Sequence, residues 1–173
     1  MGMLRGGSRL VTLTGAGGSG KTCLALHVAA DLAGELPDGA VVVPLAPVRE
    51  PGLVASAMAE ALGVREVAGQ PIAETISAAL RERRCLVVLD NYEHLLAAAP
   101  LVGDLLGRCP RLTVLVTSQS PLRIHGEQEF PVPPLSLPGT RRSRVDDLAG
   151  IPSIDLFVQR ARAVDPAFTL DES

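Results

Sequence analysis

Tryptophan is absent from this chain, and only four of its 173 residues are aromatic: Tyr92, Phe130, Phe157 and Phe168. With 47% of the residues apolar, the core must be built from Leu, Val, Ile and Ala, a palette suited to a parallel sheet covered by helices. Lysine is nearly absent as well. Of the 16 basic residues only Lys21 is lysine, and the rest are arginine. A compact ammonium and a planar guanidinium are not interchangeable at a phosphate site. One lysine kept in an otherwise all-arginine chain therefore points to a position that admits only the ammonium.

Excess positive charge is also missing. The formal net charge of −3 gives no general attraction for nucleic acid or an anionic membrane, both of which call for a basic surface. The domain is expected not to hold DNA by itself. The three cysteines, Cys23, Cys85 and Cys109, are odd in number and lack metal-ligand spacing, which argues against a disulfide framework and for a reducing cytoplasm. No apolar run approaches the roughly 20 residues needed to span a bilayer, and the N-terminus lacks a signal-peptide hydrophobic region. A soluble cytoplasmic protein is expected, with room for one domain of ordinary size.

What is present is a phosphate-binding pattern. Gly15, Ala16, Gly17, Gly18, Ser19, Gly20, Lys21 and Thr22 fit G-x-x-x-x-G-K-[ST]. A chain that wraps phosphate with inward-pointing N–H groups needs glycine where a side chain would clash or φ must be positive. The loop opens a helix, whose N-terminal amides add partial positive charge at the same spot. Lys21 is then the residue that reaches the terminal phosphates, and the Thr22 hydroxyl is a ligand for Mg²⁺. Cys23, next in line, is counted with the nucleotide-binding set; its side chain reads as helix packing, with a reactive thiol as the alternative.

The pattern around this loop supports it. Residues 9 to 14 alternate apolar and polar and read as a strand, and a helix follows from about Lys21 to Ala33 with Leu24, Val28 and Leu32 on one face and Ala25, Ala29 and Ala33 beside them. Ala40 to Leu45 reads as a fully buried strand, with Pro44 suggesting an edge or an early exit. Helices are expected at 51 to 62 and 72 to 83, a strand at Cys85 to Asp90, and a helix from Glu93 to Arg108 that Pro100 would kink. Strands at Leu112 to Thr117 and Glu127 to Val132 follow, then a proline-rich stretch, a loop with Arg141, Arg142 and Arg144, and a helix from Ser153 to Val164. Strands alternating with helices indicate a three-layer α/β P-loop fold, a mostly parallel sheet with helices on both faces. The expected division is a nucleotide-binding domain over 1–138, with 139–173 as a linker and the first helix of a further helical part.

Asp90 ends an apolar strand, and a metal-bound nucleotide needs a carboxylate at the sheet edge that carries the phosphate loop. Asp90 is the expected magnesium holder, as the Walker B acid is. The residue after it is Asn91, an amide that cannot accept a proton, so hydrolysis should be slow or absent. Glu93 is the candidate substitute base, although an acid at a helix start also serves as a cap. His94 reads as a surface or packing histidine. Thr117, Ser118 and Gln119 end the fourth strand, where they read equally as a γ-phosphate sensor or as polar residues leaving a sheet.

With Leu13-Thr-Gly-Ala-Gly-Gly-Ser-Gly-Lys-Thr22, Leu86-Val-Val-Leu-Asp-Asn-Tyr-Glu-His-Leu95 and Thr117-Ser118 with Pro121-Leu122 in order, the chain resembles the STAND class of signal-transduction ATPases. The match is to the AAA+/NB-ARC-like nucleotide-binding domain of bacterial LuxR-type and AfsR/SARP-type transcriptional regulators, and Gly126-Glu127, Pro133-Pro134-Leu135 and Leu156-Phe157 extend it. This resemblance implies an ATP/ADP switch with Mg²⁺, at most a slow ATPase, held between this domain and following helical and winged-helix parts, with homo-oligomerisation as one outcome of exchange. Relatives of that class carry arginine where this chain has Gln119, which supplies hydrogen bonds without charge.

Two other readings stay open. A P-loop enzyme is one; a GTPase would need an Asn-Lys-x-Asp motif that a chain with Lys21 as its single lysine cannot hold, while Arg141 to Arg144 keep a small-molecule kinase in play. The other is a truncated, non-catalytic interaction module, whose signature would be an exposed apolar face on the Ser153 to Val164 helix.

Overall fold

The computed structural model describes residues 2–65 and 67–134, together with Val158, Ala161, Asp165, Phe168 and Thr169. The chain divides into two compact units, 1–133 and 134–173. In the second unit Val158 and Ala161 are helical and half-buried. The rest of the stripe expected over Ser153 to Val164, and the cluster Arg141, Arg142 and Arg144, lie outside the described residues.

The first unit is a three-layer α/β fold. A one-turn helix α1 (Gly2–Arg5) precedes β1 (Leu10–Thr14), α2 (Lys21–Ala33) and β2 (Ala40–Pro44); then come α3 (Val54–Ala61), α4 (Ile72–Leu80), β3 (Leu86–Asp90), α5 (Ala99–Arg108), β4 (Thr113–Ser118) and β5 (Glu127–Pro131). The strands form one sheet in the order β2-β3-β4-β1-β5, every neighbouring pair parallel. Its central strands are buried on both sides, so hydropathy alone does not reveal their alternation, but packing does. Leu10, Val87, Leu89, Val114 and Val116 face the core formed with α3, α4 and α5. Val11, Leu13, Leu86, Val88 and Leu115 face the other way, against Ala25, Val28, Ala29 and Leu32 of α2. Each large aliphatic side chain so buried contributes about 1.5–3 kcal/mol, and the small alanines let α2 lie close to the sheet.

Four expectations need correction. β2 is not fully buried: Val43 is, but Ala40 and Val41 are half-covered and Val42 and Pro44 exposed, because β2 is the edge strand that Pro44 suggested. Ala33, expected on the packed face of α2, is exposed in its last position. The helix expected over 72 to 83 stops three residues short, since α4 ends at Leu80. Pro100 does not kink a long helix; α5 starts at Ala99 and Pro100 lies in its first turn, where its missing N–H costs no helical bond. Residues 91–95 are turn and irregular structure instead, followed by a 3₁₀ turn over Leu96–Ala98.

Candidate functional site

β1 hands the chain directly to the glycine loop. Gly15 has φ +151, and a Cβ there would lie 2.6 Å from the carbonyl oxygen of Val132 and 3.1 Å from Ser19 Oγ, so only glycine passes. The reason is tertiary: β5 pairs with β1, and the Val132 amide donates to the Thr14 carbonyl at 2.7 Å. At the far end Gly20 has φ +91 and precedes α2 with open space around it. No side chain caps α2, which leaves its first-turn amides without helical acceptors and carrying partial positive charge.

Lys21 is 8% exposed, and its Nζ donates to the Gly15 and Ala16 carbonyls, each at 2.9 Å. The ammonium is thus folded back over the loop, satisfied by two acceptors that an anion can replace. Ser19 is 4% exposed, and its Oγ is buried with no partner. An uncapped helix, an orphaned buried hydroxyl and a lysine bonded only to loop carbonyls together fit a polyphosphate. The arrangement can hold one through Gly15, Ala16, Gly17, Gly18, Ser19, Gly20, Lys21, Thr22 and the Cys23 backbone.

Parallel register brings the acid to the loop. The Thr22 hydroxyl donates to Asp90 Oδ1 at 2.8 Å, and the Thr117 hydroxyl donates to the same oxygen at 2.6 Å. Thr117 Oγ1 in turn accepts the Asn91 amide at 2.8 Å, while the Tyr92 amide donates to the Thr117 carbonyl at 2.9 Å. These bonds hold Asn91 in the left-handed region, φ +68, which asparagine tolerates better than most residues. Thr22 and Asp90 are in contact, the arrangement expected where a divalent ion is to share both. Among the described residues no group of three His, Cys, Asp or Glu side chains is placed to bind a metal; an ion at Thr22 and Asp90 would complete its shell with phosphate and water oxygens.

Glu93 does not cap a helix. It precedes α5 by six positions, and its Oε1 accepts a hydrogen bond from Gln119 Nε2 at 3.3 Å while its Oε2 is buried without a partner. The candidate base and the candidate sensor therefore face each other across the ends of β3 and β4. The Cys23 side chain is exposed, against the packing expectation, and its sulfur lies 3.6 Å from His27 Nδ1 on the next turn. His94 is exposed and bonded through Nε2 to the Val48 carbonyl at 2.6 Å.

Two features escaped the sequence. Tyr92 is fully buried with its hydroxyl unpartnered, and burial pushes its ionisation well above the usual range. Glu127 is a clamp: its carboxylate accepts Thr12 Oγ1 at 2.6 Å and the amides of Leu122 and Arg123 at 2.8 and 2.7 Å. It thereby ties the loop after Gln119, including Arg123 at φ +58, to β1. Local pattern does not announce the link to β1, because its donor Thr12 lies 115 positions away. Beside Gly15 and Gln119 an open cavity of about 630 Å³ is lined by Pro121, Pro131, Val132 and Pro133.

A family model described as AAA domain matches residues 4–125, and the chain belongs to that family. Its curated relatives include a candidate HTH-type transcriptional regulator of Mycobacterium tuberculosis, 43% identical over 164 residues, which cover 94% of this chain and 17% of that protein. An uncharacterised protein of the same organism is 40% identical over 164 residues, covering 94% of this chain and 39% of its own length. The chain thus spans less than half of either relative. Among solved structures the fold is similar to Drosophila ORC bound to DNA (TM-score 0.59, 16% identity, 76% of this chain and 40% of that one). It is also similar to Cdc6p from Pyrobaculum aerophilum (0.56, 18%, 93% and 46%) and to the Aeropyrum pernix ORC2 protein in its ADPNP-ADP complexes (0.55, 18%, 76% and 44%). At these identities the likeness is one of fold. No helix among the described residues is long and apolar enough to cross a membrane.

Proposed function

We propose that this chain is an ATP/ADP-binding regulatory switch domain of the STAND, NB-ARC-like type, part of a cytoplasmic transcriptional regulator, with slow or no hydrolysis. The observation that carries the reading is the joined arrangement of Lys21 on the loop carbonyls and Thr22 on Asp90. Lys21 and the loop amides would take the phosphates, and Thr22 and Asp90 the Mg²⁺. Slow hydrolysis is supported by Asn91, whose amide side chain follows Asp90 and cannot act as a base. Glu93 is the remaining candidate, and its bond to Gln119 makes it a group that must be released before it orients water. The relatives named as transcriptional regulators support the regulatory context. On this reading 1–138 is the nucleotide unit, 139–173 leads into a helical part, and winged-helix and further domains or a second copy are the partners; DNA contact would belong to those parts.

Calorimetric titration of ATP and ADP with magnesium, on the wild type and on Lys21→Ala, tests it. Micromolar binding, about 8 kcal/mol, is expected, weakened at least about thirtyfold in the variant, the worth of charge-assisted hydrogen bonds of about 2 kcal/mol. Phosphate release at the pace of a kinase, about 1–100 per second, would overturn the slow-switch part. No binding by either protein would favour the interaction-module reading.

A further inference from the structure

All strands of the sheet are parallel, so residues that precede them gather at one end, opposite the glycine loop. Arg9 precedes β1, Arg84 lies two positions before β3, and Arg111 two before β4. α4 and α5 run back to the same end and add Arg81, Arg83 and Arg108. The grouping is spatial as well as topological. Arg9, Arg84 and Arg111 line one open cavity of about 740 Å³; Arg9, Arg81 and Arg108 all act electrostatically on the Cys109 sulfur, and Arg83 on Cys85. All six arginines are exposed.

Local structure does not account for them. Arginine near a helix C-terminus commonly serves the last carbonyls, but here Arg9 takes that role for α5, its Nη1 donating to Leu106 and Cys109 at 2.8 and 3.1 Å. Among the described residues the one ion pair is Arg5–Glu35; Arg5 lines the same cavity, but none of the six takes part in the pair. The guanidiniums of Arg81, Arg83, Arg84, Arg108 and Arg111 make no side-chain hydrogen bond there. Of the described residues lining the cavity, Asp38 and Glu82 alone carry carboxylates. In a chain of net charge −3, this end runs against the overall sign, and a cluster of unpaired like charges is held together at a Coulombic cost.

We propose that this end of the sheet is a docking surface for an acidic, partly apolar segment of a partner protein. Carboxylates suit the planar arginine fork, which binds them bidentately. Leu36, Pro37 and Pro110 in the same cavity supply an apolar floor for aliphatic side chains. A nucleic-acid backbone is the poorer fit: its phosphates would meet Asp38 and Glu82 inside the cavity and a chain of net negative charge around it.

The test is fluorescence anisotropy on the whole 173-residue chain, with a short labelled peptide of alternating Glu and Leu and, in parallel, a labelled DNA duplex. The peptide is expected to bind and to weaken as salt rises. Arg84→Glu with Arg111→Glu should weaken it at least about tenfold, with circular dichroism and ATP–Mg²⁺ affinity unchanged. Arg84→Gln with Arg111→Gln, which only neutralises the charge, gives an intermediate loss and serves if reversal disturbs folding. No peptide binding, or equal binding by wild type and both variants, overturns the proposal. Tighter binding of the duplex, lost in the same variants, also overturns it and assigns the surface to nucleic acid.

Discussion

The two ends of the parallel sheet handle charge in opposite ways. At the end where the strands finish, polar groups are joined: buried Lys21 is bound to two carbonyls, and half-buried Asp90 holds two threonine hydroxyls. At the end where the strands begin, six arginines are exposed and, among the described residues, make no ion pair. Buried polar groups are costly unless satisfied, so a hydroxyl left buried without a partner, as Ser19 Oγ is, calls for a ligand to complete the set. Exposed guanidiniums carry no such demand, so the strand-start end is free to meet a partner from outside. On the two proposals above, one end takes a small anion and the other a macromolecular one.

The sharpest way to break this contrast is to spoil the close approach at the loop. Gly15→Ala places a Cβ 2.6 Å from the Val132 carbonyl oxygen at a positive φ, which should cost about 2–4 kcal/mol and detach β5 from the loop. Denaturant unfolding would show the loss, and titration would show ATP binding abolished. Gly107→Ala, in α5 with nothing near its Cβ, should instead stabilise by up to about 1 kcal/mol. Equal effects at the two glycines would refute the claim that the loop is sterically closed.

Thr117→Val keeps the shape of the side chain but removes the hydroxyl between Asp90 and the Asn91 amide. The expected loss is about 1–3 kcal/mol, read from the unfolding midpoint, together with weaker Mg²⁺ dependence of nucleotide binding. A variant with unchanged stability would show that the linkage is incidental.

The smallest effect belongs to the opposite end. Burial pushes the Cys85 and Cys109 thiols up from their ordinary range. A group whose folded value is raised stabilises the fold below its unfolded value, about 8.5 for cysteine, and loses that contribution as pH rises above it. Thermal stability should therefore decline above about pH 8.5, and Cys109→Ala should flatten part of the decline. In the native protein only exposed Cys23 should react quickly with a thiol reagent; rapid labelling at Cys85 or Cys109 would mean that the strand-start end opens.

The extent of α2, Lys21–Ala33, was legible in sequence because a glycine loop starts it and Gly34 follows it, both local signals. The start of α5 was misread because Glu93 looks like a helix-start acid, whereas the Thr117 bonds to Asn91 and Tyr92 hold that stretch out of helix. Cys23 was misjudged for a related reason: its face of α2 turns to solvent while Ala25 and Val28 meet the sheet. The edge position of β2 was hinted at by Pro44, yet its Val-rich run concealed the exposure.

The sequence by itself determined the α/β class, the glycine loop, the lone lysine within it and the carboxylate that ends β3, because each is written in residues a few positions apart. Tertiary structure alone decided that Thr117 would join Asp90 to Asn91, that Glu127 would reach Thr12 across 115 positions, and that scattered arginines would share one end. The physical reason is register: parallel pairing aligns segments far apart in the chain, and the hydrophobic period that forms each strand carries no record of which neighbour it will meet.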